Sequence, residues 1–335
     1  MTPVKKRLLY LLSGIILVFS LTDLGAQENK ENNQEYMPDL DGILKTKVEY
    51  DLENSLTRFE VRNARFGVKG KINPYFSYRA ELDLSDEGVV KMLDAYVRFT
   101  PLKNLDFYMG QRKIPFSTDY MRSPADNFFA NRSFIAKYIN SGLRDIGFYA
   151  NYKTSGSFPL DIFLGSVNGT GNNNPQWIKK PNLVGRIAAG PDKGIRITGN
   201  AYHGASENKN DLIMLGGELR YMNESLLIET EYVNVNYTDT LNLKQHRDGF
   251  YIHSYYIFRL NNNFITMIYP TARWDLMGES ILKGNKEADR ITIGVNTGFE
   301  PKQFYAEIRL NYENYFSKSL PIHTDKITIE FVAKF

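Results

Sequence analysis

The chain has 335 residues, and its 41 Lys and Arg against 38 Asp and Glu leave a formal charge of +3, which excludes recruitment of nucleic acid by net field alone. A hydrophobic share of 42% and a charged share of 24% suit an ordered chain, and the single long apolar run excludes a helical multi-span protein, because each span needs ~20 apolar residues. Aromatics are abundant, with 22 Tyr, 21 Phe and 2 Trp, and rings favour strands and membrane interfaces; the absence of cysteine removes disulfides, thiolate metal sites and Cys nucleophiles together.

Lys5, Lys6 and Arg7 precede the apolar run Leu8 to Leu21, and the small residues Gly25 and Ala26 follow it. This is the pattern of a secretory signal peptide over residues 1–26, cleaved after Ala26. Residues 27–42 are polar and lack any period, so they read as a mobile leader.

From residue 43 to 335 alternation dominates. Leu44, Thr46, Val48, Tyr50 and Leu52 form one face, and Lys45, Lys47, Glu49 and Asp51 the other, the period of two that a strand imposes. Phe76 to Leu84, Leu93 to Phe99, Ile213 to Tyr221, Ile291 to Phe299 and Ile327 to Phe335 repeat it. Between Val61 and Ala64 the apolar parity switches from odd to even, which predicts a β-bulge. Counting such segments gives sixteen strands, starting near residues 43, 58, 75, 89, 105, 144, 158, 183, 195, 212, 226, 250, 264, 291, 305 and 326. Short turns alternate with longer connections near 53–57, 85–88, 113–142, 167–182, 203–211, 236–249, 276–290 and 313–325. One compact rim and one elaborated rim is the habit of an up-and-down antiparallel sheet.

Alternation does not say which face is wet. The export signal, the even strand count, the alternating connections and aromatics near strand ends, such as Tyr75, Phe99, Phe148, Tyr152, Tyr221, Phe250, Phe258, Phe299 and Phe304, favour an all-β transmembrane antiparallel β-barrel over a soluble sandwich. Charge placement agrees, because Lys or Arg facing lipid at mid-depth costs about 2–4 kcal/mol, and mid-strand charges keep to the polar parity.

The segment Gly110-Gln111-Arg112-Lys113-Ile114-Pro115-Phe116-Ser117 resembles the run before the inward loop of phosphate-selective porins of the O and P family. Arg144-Asp145-Ile146-Gly147, Val167-Asn168-Gly169, Tyr269-Pro270-Thr271-Ala272-Arg273, Ile293-Gly294-Val295-Asn296, Asn311-Tyr312 and the terminal Phe335 follow in the family's order. The resemblance implies a sixteen-stranded homotrimeric channel in the outer membrane of a Gram-negative bacterium, passing small inorganic anions, phosphate or polyphosphate among them. It further implies a third long loop folded inward over 113–142 and a Phe335 recognised by the barrel assembly machinery. Its surroundings would be outer-membrane lipid, with no nucleic-acid partner and no cofactor.

Residue by residue, the third connection is about thirty residues long, and loops of that length usually carry function. Its Phe116, Tyr120, Phe128, Phe129, Phe134 and Tyr138 suit packing against an inner wall. Around it Arg112, Lys113, Arg122, Arg132, Lys137 and Arg144 outnumber Asp119 and Asp126, an excess that favours anions over the ~8 Å reach of unscreened charge. Lys113, Arg122, Arg132 and Lys137 are the anion-attracting candidates, and Arg112 and Arg144 the structural ones. On the strands Arg79, Arg98, Arg186, Arg196, Arg220, Arg273 and Arg309 offer a guanidinium path, although carboxylates on the same parity make cross-strand pairing the cheaper reading.

Enzymatic readings fail on spacing. His203, His246, His253 and His323 lie far apart without a zinc-helix pattern, and no metal set or nucleophile is evident. The functional alternative to a channel is a non-conducting barrel with a plugged lumen and a surface-binding or structural role.

Overall fold

The structure is a computed structural model and describes residues 36–86, 89–139, 144–206, 208–299 and 305–335. The expected signal peptide and the leader up to residue 35 lie outside them. The strands are β1 (Asp39–Asp51), β2 (Leu56–Lys71), β3 (Phe76–Asp86), β4 (Val89–Leu102), β5 (Leu105–Lys113), β6 (Arg144–Lys153), β7 (Leu160–Val167) and β8 (Asn182–Ala189). They continue with β9 (Gly194–Ser206), β10 (Lys209–Met222), β11 (Leu226–Thr238), β12 (Lys244–Tyr256, prolonged by Phe258–Arg259), β13 (Met267–Gly278), β14 (Ala288–Phe299), β15 (Tyr305–Ser317) and β16 (Lys326–Lys334). Phe258–Arg259 pairs with the same neighbour as β12, so the seventeen hydrogen-bonded segments make sixteen staves.

Every strand pairs antiparallel with its neighbours in sequence, and β1 closes the sheet by pairing with both β2 and β16. Closure runs from Ile43 opposite Lys334 to Asp51 opposite Lys326, and Gly42 and Phe335 exchange backbone hydrogen bonds of 3.0 and 3.1 Å beyond it. Among the described residues no strand edge is left to template aggregation. The predicted bulge is present: Thr46 opposes Val61 and Lys45 opposes Asn63, leaving Arg62 as the extra residue.

Burial is inverted relative to a soluble protein. Leu164, Ile187, Ile195, Ile197, Ile213, Leu215, Ile293 and Leu310 are exposed, whereas Asn200, Glu218, Glu231, Thr292, Asn296, Arg309 and Glu330 are buried. A continuous exposed apolar band of this size belongs against lipid. Near the turn rim Phe76, Phe99, Phe107 and Phe148 stack on the outside at successive ring separations of 4.8, 6.4 and 5.7 Å, an aromatic belt at headgroup depth.

Three sequence expectations change. β1 begins at Asp39, so residues 39–42 of the expected leader are strand. The long connections expected at 203–211 and 236–249 are mostly strand, because β9, β10, β11 and β12 run on and leave only 207–208 and 239–243 between them. Both faces of a strand are wet above the lipid, so hydrophobic alternation vanishes there while pairing persists. The inner face is also not uniformly polar: Tyr149, Val184, Tyr202, Leu212, Met214, Val233 and Val235 point inward and share a buried cluster with Phe116, Phe134, Ile135 and Ile139 of the long connection.

That connection is anchored on the far inner wall. The Ala130 N–H donates to Asn311 at 2.8 Å, the Phe134 N–H to Asp275 at 3.0 Å, and Asn296 donates to the Phe128 carbonyl at 2.8 Å. Arg309, with no exposed surface, bonds Glu307 and Glu330 at 2.9 and 3.0 Å and reaches the Ala125 carbonyl at 2.7 Å. Removing a buried cation strands its carboxylates, at a cost of about 3–5 kcal/mol. Arg309→Ala therefore lowers by several degrees the temperature at which the folded, fast-migrating form is lost in semi-native electrophoresis, whereas Lys193→Ala, at an exposed pair, leaves it unchanged.

Candidate functional site

The site is the lumen, formed by the inward faces of the strands and residues 114–139. The entry to this segment is locally strained: Ser117 adopts φ 66°, a conformation side chains rarely take, and its Oγ is fixed by donating to Glu231 at 3.0 Å. A one-turn helix, Thr118–Met121, follows, and both Thr118 N–H and hydroxyl donate to Glu218. Lys113, the last residue of β5, spends its ammonium on the carbonyls of Tyr120, Met121 and Arg122 at 2.9, 3.2 and 3.0 Å, closing the end of that helix.

The other loop candidates divide. Arg122 Nη2 donates to both carboxylate oxygens of Glu229 at 2.9 and 2.7 Å, and the guanidinium lies over the Phe128 ring at 4.7 Å. Arg132 donates to the carbonyls of Asp119 and Arg122, and with Arg122 it holds the buried Asp119 carboxyl well below the ordinary carboxylate range against the opposing effect of burial. Both are struts. Lys137, in the helical turn Ile135–Ile139, has no carboxylate within reach among the described residues and sits 5.0 Å from the Tyr138 ring. Desolvation inside the barrel, with Arg290 nearby, lowers it to about 8.

On the wall, pairing prevails. Arg79 grips Asp41 at 2.7 and 3.0 Å, Arg186 bonds Glu218 at 2.8 Å and the Thr118 hydroxyl at 2.9 Å, and Arg273 lies 3.5 Å from Asp275 and bonds the Asn131 carbonyl at 3.1 Å. Arg309 is the buried strut described above. Arg196 and Arg220 sit opposite each other and share the exposed Asp192 at 3.3 and 3.7 Å. Arg98 bonds only the Ser77 hydroxyl, at 2.8 Å, among the described residues. The seven do not form a continuous guanidinium path. Arg144 pairs with Asp94 at 2.8 Å, while Arg112 has no carboxylate within reach among the described residues and is caged by the rings of Tyr96, Tyr108, Tyr149 and Phe163 at 4.1–5.5 Å.

The row that sequence reasoning passed over is on β2. Arg58, Arg65 and Lys69 lie on its polar face, with Arg62 in the bulge, and in the outer pairs the cation faces water while the carboxylate is sunk behind it. Arg58 is 64% exposed and its partner Glu49 8%; Lys69 is 52% exposed and its partner Asp41, 3.7 Å away, 26%. The signal was the parity switch itself, which puts the even Arg58 and the odd Lys69 on one side.

The short motifs quoted above act as brackets for the next connection. Gln111 accepts from the Asn173 N–H at 2.7 Å, and Asp145 accepts from the Gly169 N–H at 2.6 Å, where Gly169 takes φ 79°. Gly110, at φ 130°, leaves no room for a Cβ against the Ala95 carbonyl.

Comparison with known proteins places this architecture. Residues 45–189 match the family described as phosphate-selective porin O and P, so the resemblance carried by those motifs is shown over that segment. No curated protein matches the chain in sequence. Among solved structures, an anion-selective porin from Comamonas acidovorans is similar at 10% identity and TM-score 0.62, covering 90% of this chain and 99% of that one. The outer membrane protein OmpT of Vibrio cholerae, in its trimer form, is similar at 11% identity and TM-score 0.59, covering 89% and 98%. At these identities the likeness is one of fold.

Because Lys137 is charged at pH 7 and loses its proton through about pH 8, the positive charge it places in the lumen falls as pH rises. Anion over cation permeability measured from reversal potentials drops between pH 7 and 9 in the wild type, and Lys137→Met flattens the drop.

Proposed function

We propose that this chain, a sixteen-stranded membrane barrel whose residues 45–189 match the phosphate-selective porin O and P family, is an outer-membrane porin for passive diffusion of small anions. It acts as a channel and not an enzyme, in the outer membrane of a Gram-negative bacterium, as a homotrimer inserted by the barrel assembly machinery that reads Phe335. The observation that carries anion preference is the arrangement on β2: the more exposed member of the outer ion pairs is a cation, so a passing ion meets positive charge there. Arg98 and Lys137, without carboxylate partners among the described residues, add to the same sign. Selectivity for phosphate within that class rests on the family match. The plugged, non-conducting barrel draws on the apolar packing of Phe134, Ile135 and Ile139 against the inner wall.

Planar bilayers under a salt gradient separate the two. A porin gives stepwise openings and a reversal potential on the chloride side of zero; a plugged barrel gives neither. Arg58→Glu with Lys69→Glu replaces the two outer cations within ~8 Å of the aqueous path and shifts the reversal potential toward zero, with conductance steps retained. An unchanged reversal potential removes the β2 row from the selectivity argument.

A further inference from the structure

Beneath residues 122–128, at the turn rim, lies a cavity of about 640 Å³ that the ion-pair argument does not use. Its volume is that of a small-molecule site, roughly 300–1,000 Å³. One wall is aromatic and continuous, with Phe128 and Tyr255 rings 4.5 Å apart and Tyr255 and Tyr269 rings 5.8 Å apart in an edge-on arrangement. The Tyr255 hydroxyl makes no hydrogen bond among the described residues, whereas that of Tyr269 is committed to Glu307.

Two guanidinium groups border the same space with unused donors. Arg220 gives Nη2 to the Asp192 carbonyl at 3.2 Å and has that residue's exposed carboxylate 3.7 Å away, but its buried Nε has no acceptor. Arg122 commits Nη2 to Glu229, and its buried Nη1 makes no hydrogen bond, with the Asp119 carboxylate 3.7 Å away. Glu229, directly opposite Arg220 in the sheet, is already occupied by Arg122 and by the Tyr251 hydroxyl at 2.8 Å. Buried donors without acceptors are costly, and an arriving anion would satisfy them.

We propose that this vestibule is a binding station for small aromatic monocarboxylates, with the carboxylate on Arg220 and Arg122 and the ring against Phe128, Tyr255 and Tyr269. One nitrogen from each guanidinium, Arg220 Nε and Arg122 Nη1, matches the two oxygens of a carboxylate. A tetrahedral phosphate would leave further oxygens unsatisfied and the aromatic wall wet. The inference names a substrate class for the channel proposed above and rests on that reading for its transport meaning, not for the binding itself.

Calorimetric titration of benzoate into the detergent-folded full-length protein tests it. Benzoate binds with a dissociation constant on the order of 1 mM, the scale of a fragment with few anchoring groups. Acetate, which lacks the ring, and benzyl alcohol, which lacks the charge, each bind about tenfold more weakly, and inorganic phosphate at equal concentration does not displace benzoate. Arg220→Gln weakens benzoate about tenfold. The proposal is overturned if benzoate binds no better than acetate or benzyl alcohol, if phosphate displaces it, or if a folded Arg220→Gln binds it as the wild type does. Should that variant fail to fold by gel mobility, the three-ligand comparison on the unaltered protein decides alone. Chloride conductance without benzoate binding sinks the station and leaves the porin; benzoate binding without conductance sinks the porin and leaves the station.

Discussion

Ion pairing across the lumen is the constraint on which this barrel depends. Turning the apolar side chains outward to lipid forces charges and amides into the interior, where an uncompensated ion costs several kcal/mol. The chain meets that demand by crossing the lumen with residues 114–139 and binding them to the opposite wall. Arg290 shows the pattern: it bonds Asp275 at 3.0 and 2.6 Å, Glu313 at 3.1 Å and the Arg132 carbonyl at 2.9 Å, joining three strands and the crossing segment at one guanidinium. The planar fork of arginine makes such multiple contacts possible, as a lysine would not.

Pairing also decides what the charges do for a passing ion. A cation locked to a buried partner presents little field, and Arg122, Arg132, Arg186, Arg273 and Arg309 are all engaged in this way and fix geometry. What an ion meets is whichever partner faces water. On β2 that partner is the cation: Arg58 and Lys69 are the more exposed members, and Glu49 and Asp41 on β1 lie deeper. The anion preference proposed for the channel rests on the depth at which each member of a pair sits, and not on a surplus of one sign.

Much of the architecture was legible beforehand. Alternation placed sixteen staves, and the parity switch at Val61 to Ala64 located the bulge that the register confirms at Arg62. The strand ends around Thr238, Lys244, Gln245 and His246 were not legible, because polar residues on both faces carry no period, and only cross-strand pairing of β11 with β12 reveals them. The candidate site fared unevenly for a similar reason: residue type marks Arg122 and Lys137 alike as cations, yet a partner more than a hundred residues away, Glu229, separates a strut from an open charge.

The sequence by itself determined the period and the number of staves, because these depend on neighbours one or two residues apart along the chain. Only the tertiary structure decided which inward charges are neutralised, that Phe134 meets Tyr315 and His323 while Ile135 and Ile139 lie over Gly249 of β12, and that Phe128, Tyr255 and Arg220 border one cavity. Those outcomes turn on distances between residues far apart in sequence, set by barrel closure and by the path of one loop across it, and electrostatic and packing energies depend on such distances and not on order along the chain.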